Sequence, residues 1–593
     1  MENFETQKND VRIRMKSVKQ KLLLALSTLP FWARVLLLLA IFVFLLSSFT
    51  LSAKLIDQRL VEIPRHGGQL VEGIIGRPRF INPVIAKSDS DRDMAVLIYS
   101  GLLRATPEGE LVPDLAKSYE VSDDGLTYTF VLKDDLLWHD GVAITSADVA
   151  YTIDKVRDPG LAIKSPRRAS WEGVEVTTPD EKTIVFHIKQ PYAPFLDNAT
   201  MGIIPKHIWQ NVPDEEFDVS YYNIEPIGSG PYRIGTIVRD SNKGLPRYYD
   251  LVAFKKFTLG EPYITHLRIQ FFGNNQELTQ AYGDHTIDQM HTIEPDQAHL
   301  LEGAGAQIER SPLPRIFALY FNQNQQPLFA DKAVRQALNI AVDKERIVNQ
   351  VLGGYGKTID GPLPLLGSMA STGAALSPSD RVSQARAILE NAGWVLNTAN
   401  IYEKTDKKKK TVTLLQFSIA LPDVPELRNA ADLIKDDWQK LGVSLTVKEF
   451  EQSTFASEVL IPRKYDILFY GQVIGRVPDP YPYWHSSQRN APGLNVALYT
   501  NKNADQLLEN ARKENDETAR TALLTKFALA ITQDVPAIFL YSPDFLYATS
   551  RSVHGIHTGL ITVESERFLG VADWYIESER VWKWVADRIT RTN

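Results

Sequence analysis

The chain has 593 residues, 44% hydrophobic and 23% charged, with a formal charge of −7 and no cysteine. That length exceeds one ordinary core and predicts two or three α/β domains. The acidic balance speaks against a nucleic-acid surface, and the missing cysteine excludes disulfides, thiolate metal sites, a cysteine nucleophile and a lipid anchor on an N-terminal cysteine.

The first element in chain order is an anchor. Lys8, Arg12, Arg14, Lys16, Lys19 and Lys21 precede an apolar run from Phe31 to Ala53 whose centre, Val35 to Leu46, holds no polar residue. About 20 residues at ~1.5 Å rise cross a hydrocarbon layer of roughly 30 Å. The basic segment, 1–30, is expected to stay cytoplasmic, which places the chain beyond the anchor (31–53) outside, as a single-pass protein of the cell membrane. A cleaved signal peptide ending at Leu51-Ser52-Ala53 is the rival reading. A tether, 54–66, follows.

From Gly67 strand and helix patterns alternate. Ser122-Asp123-Asp124-Gly125 is turn chemistry, and Leu126, Tyr128, Phe130 and Leu132 then alternate as a strand. His139-Asp140-Gly141 predicts another turn. Thr145 with Asp148 predicts a capped helix, and Val174–Val176 with Ile184–Ile188 a hairpin. Further on, Ala333 to Ala341 recur at helical spacing, Asp343 is placed to cap the next helix, and Asp380 to begin a third that stops near Gly393. Thr411 to Phe417 predicts a strand; Leu427, Ala431, Ile434, Trp438 and Leu441 one helix face closed by Gly442; and Val443 to Val447 a strand. Strand, helix, strand implies a right-handed crossover and parallel pairing. Tyr465 to Tyr470 predicts one more buried strand, and Lys407 to Lys410 a solvated loop tip.

Gly101-Leu102-Leu103, Leu111-Val112-Pro113-Asp114-Leu115-Ala116, Asp124 to Phe130, Trp138-His139-Asp140-Gly141, Ile227-Gly228-Ser229-Gly230-Pro231-Tyr232, Phe321-Asn322, Ala333 to Leu338, Ala392-Gly393-Trp394 and Leu441-Gly442-Val443 occur in one order. This ordered set resembles the family 5 extracellular solute-binding proteins. The resemblance implies an α/β, two-lobe periplasmic-binding-protein-like fold of the large three-subdomain type. It places lobe 1 at 67–315 plus 542–593, with a subdomain near 104–225, and lobe 2 at 316–541. The lobes are expected to cross near Ile316–Phe321 and Phe539–Tyr541. It further implies capture of peptides or peptide-like ligands in the cleft, delivery to ABC permease subunits, a monomer, and no cofactor, metal or nucleic acid.

The stretch Tyr470 to Tyr481 predicts a loop at a strand's carboxyl end, where α/β sheets bind ligands. Peptide-binding family members carry an aspartate for the ligand ammonium a few residues before an Asp-Pro pair. Here Asp479-Pro480 is present, but Gly475 and Arg476 occupy the region of that aspartate, and Arg476 favours an anionic ligand group. Gly471, Gln472 and Val473 are expected to offer backbone groups to an extended ligand. Asp479 is expected to make a charged contact, Tyr481 and Trp484 to wall a pocket, and Asn322 and Tyr99 to approach the cleft. No catalytic elbow, P-loop, His-Glu-x-x-His or dinucleotide fingerprint is present. His285 and His291 are read as solvated loop residues. A surface peptide sensor without transport and a cleft hydrolase are the alternatives to a transport receptor.

Overall fold

The computed structural model describes residues 30–57, 59–241, 244–364, 377–406 and 410–592. Of the sequence features above, the basic N-terminal residues and Lys407–Lys409 lie outside them. The chain divides into two units, one of Met1–Arg65 with Glu577–Asn593 and one of His66–Ile576. The C-terminal stretch Glu577–Asn593, expected with the first lobe, thus groups with the N-terminal segment.

In the smaller unit a helix runs over Phe31–Asp57. Its Phe31–Leu51 portion is long and apolar enough to cross a membrane. The expected tether is the end of this helix and then a strand, Leu60–Arg65, paired antiparallel with Glu577–Trp582.

The larger unit carries, among the described residues, a twelve-stranded mixed sheet. At one end Ser444–Phe450, Gln416–Pro422, Ile467–Val473 and Arg315–Phe321 lie side by side; at the other are Gln69–Ile75, His266–Phe272, Pro246–Ala253 and Tyr232–Arg239. The 13-residue strand Ala537–Thr549 joins the halves, pairing with Arg315–Phe321 through its first part and with Gln307–Pro312 through its last. Gln416–Pro422 and Ser444–Phe450 are parallel, with the helix Pro425–Leu441 between them, as the crossover reasoning requires. That helix buries Leu427, Ala431, Ile434, Trp438 and Leu441 on one face and ends at Gly442, whose φ of 108° only glycine adopts freely. Each of the large apolar side chains stabilises the fold by roughly 1.5–3 kcal/mol on burial.

Cores separate on either side of the junction. One gathers Leu70 to Phe271 with Leu313 and Phe545 to Trp574; others gather residues between Ile316 and Tyr541. A four-stranded antiparallel sheet, in which Thr127–Leu132 lies between Ala116–Val121 and Thr183–His187, covers part of the first. Its Tyr128, Phe130 and Leu132 point inward, as the alternation predicts. Thr145 and Asp148 form the expected capping box, and Asp343 caps the helix Lys344–Val351. Two local expectations change. Ser377, not Asp380, caps the helix Pro378–Asn391, because its hydroxyl accepts from the Asp380 backbone N–H. Thr411–Phe417 is broken at Leu415 into two strands in different sheets.

Candidate functional site

The chain crosses between the two sets of cores twice, at Pro312–Arg315 and Tyr541–Phe545, the second of which also pairs with Gly356–Thr358 through Tyr541–Pro543. Leu313 N–H donates to Pro543 O at 3.3 Å, and the Ser542 hydroxyl donates to Leu313 O at 2.7 Å. Pro312, Pro314 and Pro543 have no N–H to give. Two crossing segments of this kind can absorb a rotation without unpacking either core.

A cavity of about 260 Å³ lies where Arg476 meets Tyr99 and Glu566. Its wall comes from Pro83 to Gly202 and from Val563 to Leu569, with one exception, Arg476. Tyr99 follows the helix Asp89–Ile98, which is fixed by a Ser88–Asp91 capping box. Gly228 and Gly230 of the Ile227–Tyr232 stretch hold that helix end: a Cβ on Gly228 would lie 1.9 Å from Ile98 O, and Gly230 N–H donates to the same oxygen at 2.8 Å. Gly202 allows Tyr99 its place, since a Cβ there would come within 2.8 Å of the tyrosine's own. The Tyr99 hydroxyl is buried with no hydrogen-bond partner among the described residues. Burial raises its pKa, so it remains a phenol at neutral pH.

Arg476 enters from the opposite side, on a turn that Gly475 permits at φ 82°. Its side chain is 2% exposed and donates to Asp197 at 3.1 Å and to Glu566 at 2.7 Å. Its Nε has no partner among the described residues. Glu566 is oriented by Thr562, whose N–H and hydroxyl both donate to it. Arg167 also lines the cavity, where it is exposed and lies in the field of Asp197 and Glu566. No hydrogen bond or ion pair from its guanidinium occurs among the described residues.

The other expected site residues are distributed differently. Asp479 is bound by Arg512 through two hydrogen bonds, 2.9 and 2.5 Å, and accepts from the Tyr192 hydroxyl at 3.3 Å. The Arg512 guanidinium lies 3.9 Å from the Tyr481 ring centroid, and Tyr481 stacks on His485. Trp484 is buried among Tyr320, Tyr499 and Phe539. Asn322 closes a turn, accepting from the Asn324 and Gln325 N–H groups and donating to Arg463 O. Gly471, Gln472 and Val473 are strand rather than loop, in register with Phe317, Ile316 and Arg315. The neighbouring strand Gln416–Pro422 reaches only Ile467 and Leu468, so the other edge of Gly471–Val473 has no strand beside it among the described residues. Buried Gln472 has a carbonyl oxygen without a partner. Of the expected residues, the cavity brings together Tyr99 and Arg476.

Sequence reasoning missed Asp197, Glu566, Arg167, Tyr192 and Arg512, which come from separated segments with no local pattern. It also misread His291. This histidine is buried, 3.4 Å from Asp93 and 3.3 Å from Glu564. Burial and the charge of Arg567 oppose its protonation, yet the two carboxylates lift its pKa to about 9. Arg567 bridges Asp93 and Glu72, all three fully buried. Burial works to raise Asp93, but Arg567 and His291 hold it down at about 2.

The family model for bacterial extracellular solute-binding proteins, family 5, matches residues 110–495. The chain belongs to this family. The oligopeptide-binding protein AppA of Bacillus subtilis (strain 168) is 27% identical over 83% of this chain and 89% of its own length. The probable D,D-dipeptide-binding periplasmic protein DdpA of Escherichia coli (strain K12) is 25% identical over 82% and 90%. Among solved structures, NikZ from Campylobacter jejuni in complex with Ni(L-His) is 27% identical with a TM-score of 0.65, covering 86% of this chain and 99% of its own. AppA from Bacillus subtilis in complex with a nonapeptide has a TM-score of 0.64 at 24% identity, covering 87% and 100%. The fold is therefore the family's two-lobed, mixed α/β architecture, preceded here by the apolar helix Phe31–Leu51.

Proposed function

We propose that this chain captures peptides or peptide-like ligands between its lobes, 67–315 with the segment after 542 and 316–541, and delivers them to the permease of an ABC importer. The observation that carries the reading is the cavity at the lobe junction, walled by one lobe and closed by Arg476 from the other. A solute seated there is desolvated when the lobes close and released unchanged when they open. The likeness to AppA and DdpA, whose names specify peptides, supports the ligand class.

Within the cavity, Tyr99 Oη and Arg476 Nε are buried donors without acceptors among the described residues, and the exposed Arg167 adds a positive charge to the lining. They suit an acidic group of the ligand, such as a carboxylate. The open edge of Gly471–Val473 suits the ligand's main chain, added as a short strand. Asp479 then acts through Arg512, as a support for this wall. The helix Phe31–Leu51 holds the protein, a monomer, to the extracytoplasmic face of the membrane as an uncleaved anchor.

Incubating the full chain in detergent with a mixed peptide pool, followed by washing, denaturation and mass spectrometry, tests the reading. Stoichiometric recovery of intact peptides is expected, enriched in acidic ones over their amides. Recovery of cleaved peptides, or of none, contradicts it.

A further inference from the structure

The solved relatives are matched over nearly their whole length by 86–87% of this chain. Left over is a share about the size of the small unit, Met1–Arg65 with Glu577–Asn593. That unit contains more than a helix. Leu60–Arg65 and Glu577–Trp582 form a six-residue antiparallel ribbon, Leu60 opposite Trp582. Lys583 N–H then donates to Arg59 O at 3.0 Å. The chain continues as a helix, Lys583–Thr592, which touches both strands of the ribbon.

This arrangement fixes the height of the C-terminal helix. Beyond Leu51, where the apolar stretch ends, six more helical residues rise by at most about 9 Å. Arg59 is two residues further on, and the Lys583–Arg59 hydrogen bond ties the start of the terminal helix to it. The headgroup zone on each side of the hydrocarbon is roughly 5–8 Å deep. Trp582 and Trp584, 40% and 61% exposed, are thereby held within about 16 Å of the hydrocarbon edge, and closer as the anchor helix tilts. Indole rings concentrate at membrane interfaces because the ring is apolar while its N–H stays wet. Arg588, one turn beyond Trp584, has its guanidinium 5.7 Å from that ring. In a chain of net charge −7, Lys583, Arg588 and Arg591 against Asp587 make this helix basic, as are the nearby Lys54 and Arg59. Basic residues beside aromatic ones suit an anionic lipid surface.

We propose that the Lys583–Thr592 helix lies on the outer surface of the same membrane, with Trp582 and Trp584 among the lipid headgroups. It is a second attachment, supplied by the C-terminus. The ribbon makes the stalk a double strand, and the two attachments restrict how far the stalk tilts. The proposal rests on the reading that Phe31–Leu51 crosses the membrane.

The absence of native cysteine makes the test direct. Nitroxides are placed singly by R588C, V43C and V219C in the full chain, which is reconstituted in phosphatidylethanolamine–phosphatidylglycerol vesicles. Collision with oxygen, which partitions into lipid, is compared with collision with a water-soluble nickel chelate. The Val43 position reports the anchor and the well-exposed Val219 position reports water. The proposal expects the Arg588 position to favour oxygen several-fold more than the Val219 position. Adding W582A with W584A should abolish that preference and leave the Val43 position unchanged. If the Val43 position reads lipid while the Arg588 position matches Val219, the second attachment is refuted and the anchor stands. If the Val43 position reads water, the anchor fails and the proposal fails with it.

Discussion

Arg476 donates to Glu566 at 2.7 Å, joining the stretch after Ile474, which packs in one core, to the stretch before Phe568, which packs in another. Together with Asp197 they form a charge clasp over the cavity, the guanidinium almost fully buried and each of its two terminal nitrogens on a different carboxylate. Substituting R476A removes the guanidinium that holds both carboxylates, and with it the attraction across the proposed cleft, which favours separation of the lobes. The ligand-free variant should therefore show a larger radius of gyration in X-ray scattering than the parent. An unchanged radius would mean that the clasp does not hold the lobes together.

Asp479 and Arg512 form a second tie, with two hydrogen bonds in a partly buried setting. Arg512 O in turn accepts from Ala193 N–H across the lobes at 3.0 Å. D479N and R512A should each lower stability by about 1–2 kcal/mol. In a double-mutant cycle the pair should cost clearly less than the sum, since either change already breaks the contact. Additive effects by chemical denaturation would show that the pair contributes nothing as a unit.

The glycines of Ile227–Tyr232 act by close approach. G228A drives a methyl against the Ile98 carbonyl, which cannot move without unseating the helix end that carries Tyr99. A loss of about 3 kcal/mol is expected, with a weakened ligand affinity. G283A makes a suitable comparison, because a Cβ there meets nothing within 4 Å. Equal melting temperatures for the two variants would contradict the packing argument.

How much of this was visible in the sequence depends on how far each signal reaches. Thr145 with Asp148, the helix face of Pro425–Leu441 and the stop at Gly442 are local, because caps and periodic faces are set within a few residues. The Gly471–Val473 stretch reads as a loop since its glycine and the following prolines outweigh a strand pattern; pairing with Arg315–Phe317 decides otherwise. The clasp was half legible. Arg476 stood out as a cation where an acid was expected, but Asp197 and Glu566 lie 279 and 90 residues away and carry no mark of their own. His291 shows the same limit, for Asp93 and Glu564 reach it only through the fold.

The buried His291 cluster gives stability a defined pH dependence. Its pKa is raised from 6.5 to about 9, so its protonation adds stability that is full below about pH 6.5 and is lost as pH rises through 9. Asp93, lowered from 3.8 to about 2, adds stability present above 3.8 and lost as pH falls through 2. Glu72, Glu564, Arg567 and Arg315 also face this cluster. Melting temperature should therefore decline between pH 6.5 and 9, and H291Q should flatten that decline. A parent protein with a level melting temperature over this interval would place the histidine's charge elsewhere.

The claim that the lobes close on a captured solute is tested most directly by distance. A fluorophore pair on V219C and I461C, both exposed, one in each proposed lobe and both unique in this cysteine-free chain, reports their separation in single molecules. With an acidic peptide recovered from the pool, the account predicts a shift of the population to the shorter distance, reversed when the ligand is removed, with the peptide intact afterwards. A distance distribution that ligand leaves unchanged would contradict it.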